Sequence, residues 1–158
     1  MSRAKIIGPE VKNVPWQEKP KSVMNAPIWR YSDNPVIGRN PCMGVARIFN
    51  SAVIPYEEGF IGVFRGEQID GIPYIYLGRS RDGFAWEIED KKIDIFTEEG
   101  ALYVPRYAYD PRLVKVEDTY YLIWCQDFYG AAIGMAKTSD FTTFTRVSNP
   151  FLPFNRNA

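Results

Sequence analysis

The 158-residue chain contains no histidine, which removes imidazole from every site that it builds by itself. A Ser-His-Asp triad, a His-ligated zinc ion and a histidine general base are therefore excluded. The chain also has no excess charge of either sign, because 19 lysines and arginines balance 19 aspartates and glutamates. A balanced chain lacks the basic surface on which nucleic-acid binding depends, so a nucleic-acid partner is not expected.

Long apolar runs and paired cysteines are missing as well. The first sixteen residues carry four charges and no apolar run, which is unlike a signal peptide. No stretch approaches the roughly 20 apolar residues of a membrane span. The two cysteines, Cys42 and Cys125, lack the CxxC spacing of metal and redox motifs. We therefore expect reduced thiols in a cytoplasmic protein, with no metal site and no membrane partner.

Aromatic residues and turn formers are abundant. Phe, Tyr and Trp make up 15% of the chain, which also contains 12 prolines and 12 glycines. Frequent prolines in residues 1–40 predict an extended N-terminal arm, anchored by Trp16 and Trp29. From residue 43 onward, short β-branched and aromatic runs alternate with Asp-Gly and acidic turns, a pattern typical of β-hairpins. The sequence therefore predicts an all-β fold.

An internal repeat divides the β region into two similar parts. Residues 48–64 align on residues 108–124, sixty positions later, and residues 78–86 align on residues 136–144 at an offset of 58. Each copy has a polar residue at a strand entry, an acidic turn, an aromatic strand and a Ser/Thr-x-Asp motif. A repeat of this length with short strands is typical of a β-propeller blade. A chance repeat in a two-sheet sandwich is the alternative.

The repeat also predicts how the chain is divided. Residues 1–40 form the arm, residues 41–98 the first blade, residues 99–148 the second blade, and residues 149–158 the truncated start of a third. Because a propeller closes with about four to eight blades, an incomplete ring is expected. A partner chain that supplies the remaining blades, or a homo-oligomer, would then complete it.

Two polar residues occupy equivalent inner-strand positions of the repeat, Asn50 and Asp110. Inner strands line the channel of a propeller, so these side chains are expected to converge. Tyrosines precede Asp110 and the dipeptide Pro111-Arg112 follows it, and such surroundings suit a general acid. A cap or an Asx-turn before the proline is the plainer interpretation, and the spacing leaves both open.

Six motifs in order resemble glycoside hydrolase family 130, the family of β-mannoside phosphorylases and related β-mannosidases. The resemblance runs over nearly the whole chain, from about Ile6 to Asn157. The motifs are residues 29–35 (WRYSDNP), 48–52 (IFNSA), 62–65 (GVFR), 80–83 (SRDG), 109–112 (YDPR) and 151–157 (FLPFNRN). The resemblance implies a five-bladed β-propeller, in agreement with the interpretation of the repeat as blades.

The resemblance also implies roles for individual residues. Asp110 matches the family's single general acid, which protonates the glycosidic oxygen by relay through a mannose hydroxyl. Asn50 and Arg65 match residues that hold the mannosyl unit beside the cleaved bond. Further candidates for substrate binding are Ser51, Asp82 and Arg112.

Plainer interpretations of several of these residues stay open. Residues 80–83 are typical of a hairpin turn, and Arg65 could be a solvated charge at a blade edge. Trp124, Phe128 and Tyr129 could form a wall that stacks on sugars, or they could belong to the core.

One carboxylate suffices for a phosphorylase, because inorganic phosphate is already an anionic nucleophile. An inverting hydrolase needs a second carboxylate to activate water. Phosphate needs a cradle of Arg, Lys and polar donors, which the resemblance places, together with a histidine, in later blades. We therefore expect inverting phosphorolysis of β-mannosides to α-mannose 1-phosphate, with phosphate as co-substrate and no other cofactor.

Two alternatives to this activity follow from the same residues. The protein could be an inverting β-mannosidase that uses water. It could also be an inactive truncated or split-gene fragment that binds sugar and needs the remaining blades. The acceptor sugar is open between glucose, N-acetylglucosamine and mannose.

Overall fold

The computed structural model describes residues 19–147, which contain ten strands and one short 3-10 helix, Lys21–Val23. The strands are β1 (Val45–Tyr56), β2 (Gly59–Gln68), β3 (Pro73–Ser80), β4 (Glu87–Lys92), β5 (Ile95–Phe96), β6 (Leu102–Tyr103), β7 (Ala108–Val116), β8 (Thr119–Asp127), β9 (Ala131–Thr138) and β10 (Phe144–Val147). The all-β prediction is confirmed over this range. The predicted anchor Trp16 and the predicted third blade at residues 149–158 lie outside it.

The first sheet is an antiparallel meander of β1, β2, β3 and β4, in that order. The acidic pair Glu57-Glu58 joins β1 to β2, and the corresponding pair Glu117-Asp118 joins β7 to β8. Glu57 and Glu117 also share a left-handed backbone, with φ of +50° and +53°. The two halves of the sequence repeat therefore begin with the same hairpin.

The second sheet repeats this meander with β7 to β10 and then extends it. Its strand order is β6-β5-β10-β9-β8-β7, and β10 pairs in parallel with β5, placing Phe144 opposite Ile95. The predicted boundary between residues 98 and 99 falls in the turn between β5 and β6, and both of these strands pair in the second sheet. The predicted blade limits themselves stay a prediction.

The main hydrophobic core lies between the two sheets. Ile61 and Val63 of β2 enter it from the first sheet, and Leu122 and Trp124 of β8 enter it from the second sheet. Strand residues two apart share a face, which is why both pairs follow that spacing. The complete buried cluster is Ile61, Val63, Ile75, Leu77, Ile95, Ala108, Tyr120, Leu122, Trp124, Ala136, Phe141 and Phe144.

The opposite face of the first sheet is covered by the segment that precedes β1. Phe64 and Tyr76 are buried there, and Ile37 and Cys42 pack against them from that segment. The first sheet is therefore covered on both faces, as a blade in a stack of blades would be. Within residues 19–147, no helix has the length and apolar character needed to cross a membrane.

Candidate active site

The two inner strands, β1 and β7, lose their regular pairing at the same place in the repeat. Pairing with the neighbouring strand shifts register within residues 48–51 of β1 and within residues 109–112 of β7. Such an irregularity leaves residues unpaired and changes the direction of their side chains. Asn50 lies in the first irregularity and Asp110 in the second, where Asp110 has a φ of +52°. Aspartate and asparagine tolerate this left-handed conformation better than other residues that have a side chain.

The side chains of Asn50, Arg65 and Asp110 meet at the junction of the two sheets. Nδ2 of Asn50 donates a hydrogen bond of 2.7 Å to Oδ1 of Asp110, and Nη1 of Arg65 donates to the same oxygen at 3.2 Å. The side chains of Arg65 and Asp110 are 26% and 22% exposed, so a ligand can reach them. Within residues 19–147, no hydrogen bond reaches Oδ2 of Asp110. One carboxylate oxygen is therefore anchored, and the other is open to exchange a proton with a ligand.

The ion pair between Arg65 and Asp110 contributes little to folding at this exposure. Ion pairs that remain accessible to water are worth about 0–1 kcal/mol. The ion pair therefore orients the side chains of the cluster and adds little to the stability of the chain. Aromatic rings lie beside it: Tyr107 and Tyr109 are 5.7 Å apart between ring centres, and Phe49 is 44% exposed.

The structure does not bring Ser51 and Arg112 to this cluster. Ser51 is paired with Phe64, whose side chain lies on the face of β2 opposite to that of Arg65. Arg112 precedes Leu113, which packs on the core between the sheets, so Arg112 lies on the other face of β7. Its Nη1 donates to the carbonyl of Pro111 at 3.0 Å. The alternation of faces along a strand separates both residues from Asp110.

Asp82 lies in the loop between β3 and β4, where its carboxylate organises the backbone. It accepts hydrogen bonds from the N–H groups of Phe84 at 2.8 Å and Ala85 at 2.9 Å. The bond from Phe84, followed by the bond from Ala85, lowers the pKa of Asp82 below its ordinary value. The plainer interpretation of residues 80–83 as a turn agrees with these contacts, and substrate binding by Asp82 stays a prediction.

Asp140 has the same arrangement in the second blade. Its carboxylate accepts from the N–H groups of Thr142 at 2.9 Å and Thr143 at 3.2 Å. The bond from the Thr142 backbone, followed by those from the Thr142 hydroxyl and the Thr143 backbone, lowers the pKa of Asp140 to about 2. The aspartates of the Ser/Thr-x-Asp motif are thus turn-forming residues in both copies of the repeat.

Of the two interpretations left open for Trp124, sugar stacking or core, the structure shows the core. This side chain is 1% exposed, and its Nε1 donates to Oε1 of Gln126 at 3.0 Å inside the core. Phe128 and Tyr129, on the turn between β8 and β9, are 39% and 90% exposed. Contact of these two rings with sugars stays one of the two alternatives.

A cleft lies elsewhere on the first blade. It has a volume of about 530 Å³ and is lined by residues 56–60, 79–81 and 85–87. None of Asn50, Arg65 and Asp110 borders it. Within residues 19–147, no group of three or more His, Cys, Asp or Glu side chains could hold a metal ion.

Comparison with solved structures first defines the class of fold. A candidate glycosidase from Bacteroides thetaiotaomicron superimposes with a TM-score of 0.62 at 16% identity, over 77% of this chain and 42% of that one. The β-1,2-mannobiose phosphorylase from Listeria innocua superimposes with a TM-score of 0.58 at 16% identity, over 80% of this chain and 52% of that one. The described sheets are therefore blades of a five-bladed propeller of the type found in glycosidases and glycoside phosphorylases.

Sequence comparison then assigns the family. The profile of glycoside hydrolase family 130, described as β-1,4-mannooligosaccharide phosphorylase, matches residues 10–158. The β-1,4-mannooligosaccharide phosphorylase of Ruminococcus albus is 40% identical over 161 residues, covering 96% of this chain and 47% of that protein. The chain belongs to glycoside hydrolase family 130, as its motifs predicted. It spans about half the length of this relative.

Sequence reasoning missed one constituent of the cluster, the aromatic residue Phe49. The repeat carried a signal for it, because Phe49 aligns with Tyr109, the residue before Asp110. A second overlooked signal marks the irregularity in β7. Proline is confined to strand edges and bulges, so Pro111 within a predicted strand indicates a bulge beside Asp110.

Proposed function

We propose that this chain contributes the general acid and part of the sugar site of an inverting β-mannoside phosphorylase. The convergence of Asn50 and Arg65 on one oxygen of Asp110 is the observation that carries the proposal. The Asp110 side chain pairs with an amide and a guanidinium. A single acid is what phosphorolysis requires, whereas inverting hydrolysis needs two carboxylates.

In the proposed reaction, Asp110 acts through its open oxygen. The protonated carboxyl group gives its proton to the glycosidic oxygen, directly or through a mannose hydroxyl, and the bond from that oxygen to C1 of mannose breaks. An oxygen of hydrogen phosphate attacks C1 from the opposite face, which inverts the configuration. The products are α-mannose 1-phosphate and a shortened sugar. The proton of hydrogen phosphate replaces the one that Asp110 has lost.

Asn50 and Arg65 have two tasks in this proposal. Their hydrogen bonds to Oδ1 orient the carboxyl group, so that Oδ2 faces the leaving oxygen. Their remaining N–H groups bind hydroxyls of the mannosyl unit, a task for which a planar guanidinium with several donors is well suited.

The proposed substrate is a β-1,4-linked mannooligosaccharide, with inorganic phosphate as co-substrate and no other cofactor. The name of the Ruminococcus albus relative, 40% identical, supports this choice. A glucose or N-acetylglucosamine acceptor is tested in the same assay by replacing β-1,4-mannobiose with the corresponding mannosyl disaccharide.

We also propose that a further blade packs on the outer face of the second sheet. Val114 and Val116 are 47% and 53% exposed there, and Ile123 and Met135 lie beside each other on the same face. A relative about twice as long as this chain supports such an occupant. The blade would come from the remainder of the propeller, on the same or on a second polypeptide.

The test of the activity is an assay of this chain, completed with the remaining blades of the propeller. The substrate is β-1,4-mannobiose, in the presence and absence of phosphate. Phosphorus NMR should show phosphate-dependent formation of α-mannose 1-phosphate, and Asp110→Asn should lower the rate by at least about a hundredfold, the usual contribution of a general acid. Asp118→Asn removes an exposed turn carboxylate and should leave the rate unchanged. Mannose release without phosphate would favour the mannosidase, and normal turnover by Asp110→Asn would refute the acid assignment.

A further inference from the structure

Arg65 contacts two aromatic rings that come from equivalent positions of the repeat. The centre of the Phe49 ring is 5.0 Å from Cζ of Arg65, and the centre of the Tyr109 ring is 5.3 Å from the same atom. Phe49 and Tyr109 are sixty positions apart, and each directly precedes a cluster residue, Asn50 or Asp110. A guanidinium within about 6 Å of a ring centre is attracted by the ring's negative face.

The hydrogen bonds of Arg65 leave its orientation underdetermined. Nη1 donates to Asp110 at 3.2 Å, while Nε is buried and has no hydrogen-bond partner in the described chain. A guanidinium is a rigid plane, and a single hydrogen bond allows that plane to rotate about the bond. Contacts with two rings supply the missing restraint, because they favour one placement of the plane.

Burial does not account for the position of Phe49. Its side chain is 44% exposed, in contrast to Phe64 fifteen residues later, which is 2% exposed in the core. Single exposed apolar side chains are common at protein surfaces. What distinguishes Phe49 is its contact with Arg65, whose Cζ lies 5.0 Å from the ring centre.

We propose that Phe49 is a positioning residue, which together with Tyr109 holds Arg65 in the orientation that meets Asp110. The irregularity in β1 thus places Asn50 against Asp110 and Phe49 against Arg65. The consequence for the sugar site rests on the proposed function, whereas the effect on Arg65 itself does not.

The direct test follows the Nε–H signal of Arg65 by NMR in this chain. Phe49→Leu should move the signal downfield through loss of the ring current and should speed its exchange with water. Phe49→Tyr should restore both properties, because it returns an aromatic ring. Arg47→Gln is the matched control: Arg47 lies 5.8 Å from the same ring, and its replacement should leave the Arg65 signal in place. An unchanged Arg65 signal in Phe49→Leu would refute the proposal.

The kinetic test uses phosphorolysis of β-1,4-mannobiose by this chain completed with the remaining blades of the propeller. Phe49→Leu should lower kcat/KM about threefold to tenfold, as expected for one cation–π contact, mainly through a higher KM. Phe49→Tyr should recover the wild-type value, and equal thermal midpoints would exclude a folding defect. Normal kcat/KM in Phe49→Leu would overturn the proposal. If wild type itself forms no α-mannose 1-phosphate, the proposed function fails, and the NMR comparison still decides the role of Phe49.

Discussion

At the scale of single residues, the backbone around each aspartate determines what its carboxylate can do. Asp82 and Asp140 sit in turns, where Oδ1 of each carboxylate accepts hydrogen bonds from backbone N–H groups two and three residues later. Asp110 sits in a bulge with a left-handed backbone, where its partners are side chains from another sheet. The same residue type therefore holds the backbone of its own turn in the first two positions and meets side chains from the other sheet in the third.

The pH dependence of stability should depend on Asp140. Because its folded-state pKa is lowered to about 2, its stabilising bonds are complete above the ordinary value of 3.8 and are lost as the pH falls toward 2. Asp140→Asn cannot titrate, so it should flatten the loss of stability across this window. Urea midpoints at several acidic pH values would measure the effect. A slope equal to that of wild type would contradict it, and Asp118→Asn controls for the removed charge.

At the scale of strands, close packing determines which residues the sheets accept. Trp124 fills the space beside Gly134 on β9, and a methyl group on that glycine would lie 2.3 Å from the indole ring. The polar edge of the indole is satisfied by Gln126, which also accepts from Tyr103 on β6 at 2.9 Å. Through Gly134, Trp124 and Gln126, contacts thus connect β9, β8 and β6 of the second sheet.

Gly134→Ala should destabilise the chain, because neither the ring nor the strand has room to move. Overpacking of this kind costs about 1–3 kcal/mol, which urea unfolding would detect. Gly38→Ala is the matched control, since a methyl group there meets nothing within 4 Å. Equal unfolding free energies for the two variants would contradict the packing of Trp124 against β9.

At the scale of the whole molecule, the two sheets differ in how they are covered. The outer face of the first sheet carries residues from the segment before β1, whereas Val114 and Val116 on the second sheet are about half exposed. Apolar strand residues in this arrangement favour a neighbouring sheet. The candidate acid is placed at the junction that is already formed, between the first and second blades.

The outer face of the second sheet should therefore bind the rest of a propeller. We expect a one-to-one complex, seen by sedimentation, between this chain and the part of the Ruminococcus albus relative that lies outside the matched 161 residues. Val114→Lys should weaken it, since a charge would enter an apolar interface. Ile69→Lys, on an exposed turn of the first blade, should not. A complex that tolerates Val114→Lys would refute this location.

Much of the fold could be predicted because its determinants are local. Acidic turns, aromatic strands and the Ser/Thr-x-Asp turns recur in the sequence, and each depends on residues within a few positions of one another. The pairing of β5 with β10 cannot be predicted in this way. These two short strands are far apart along the chain, and no local pattern connects them.

The sequence by itself determined the repeat, the hairpins, the family and the equivalence of Asn50 with Asp110. Only the tertiary structure decided which candidates share a site, because the face on which a strand residue lies depends on register and on bulges. Register turned Ser51 and Arg112 away from Asp110. The packing of one sheet on the other places Nη1 of Arg65 3.2 Å from Oδ1 of Asp110, a residue 45 positions later in the chain.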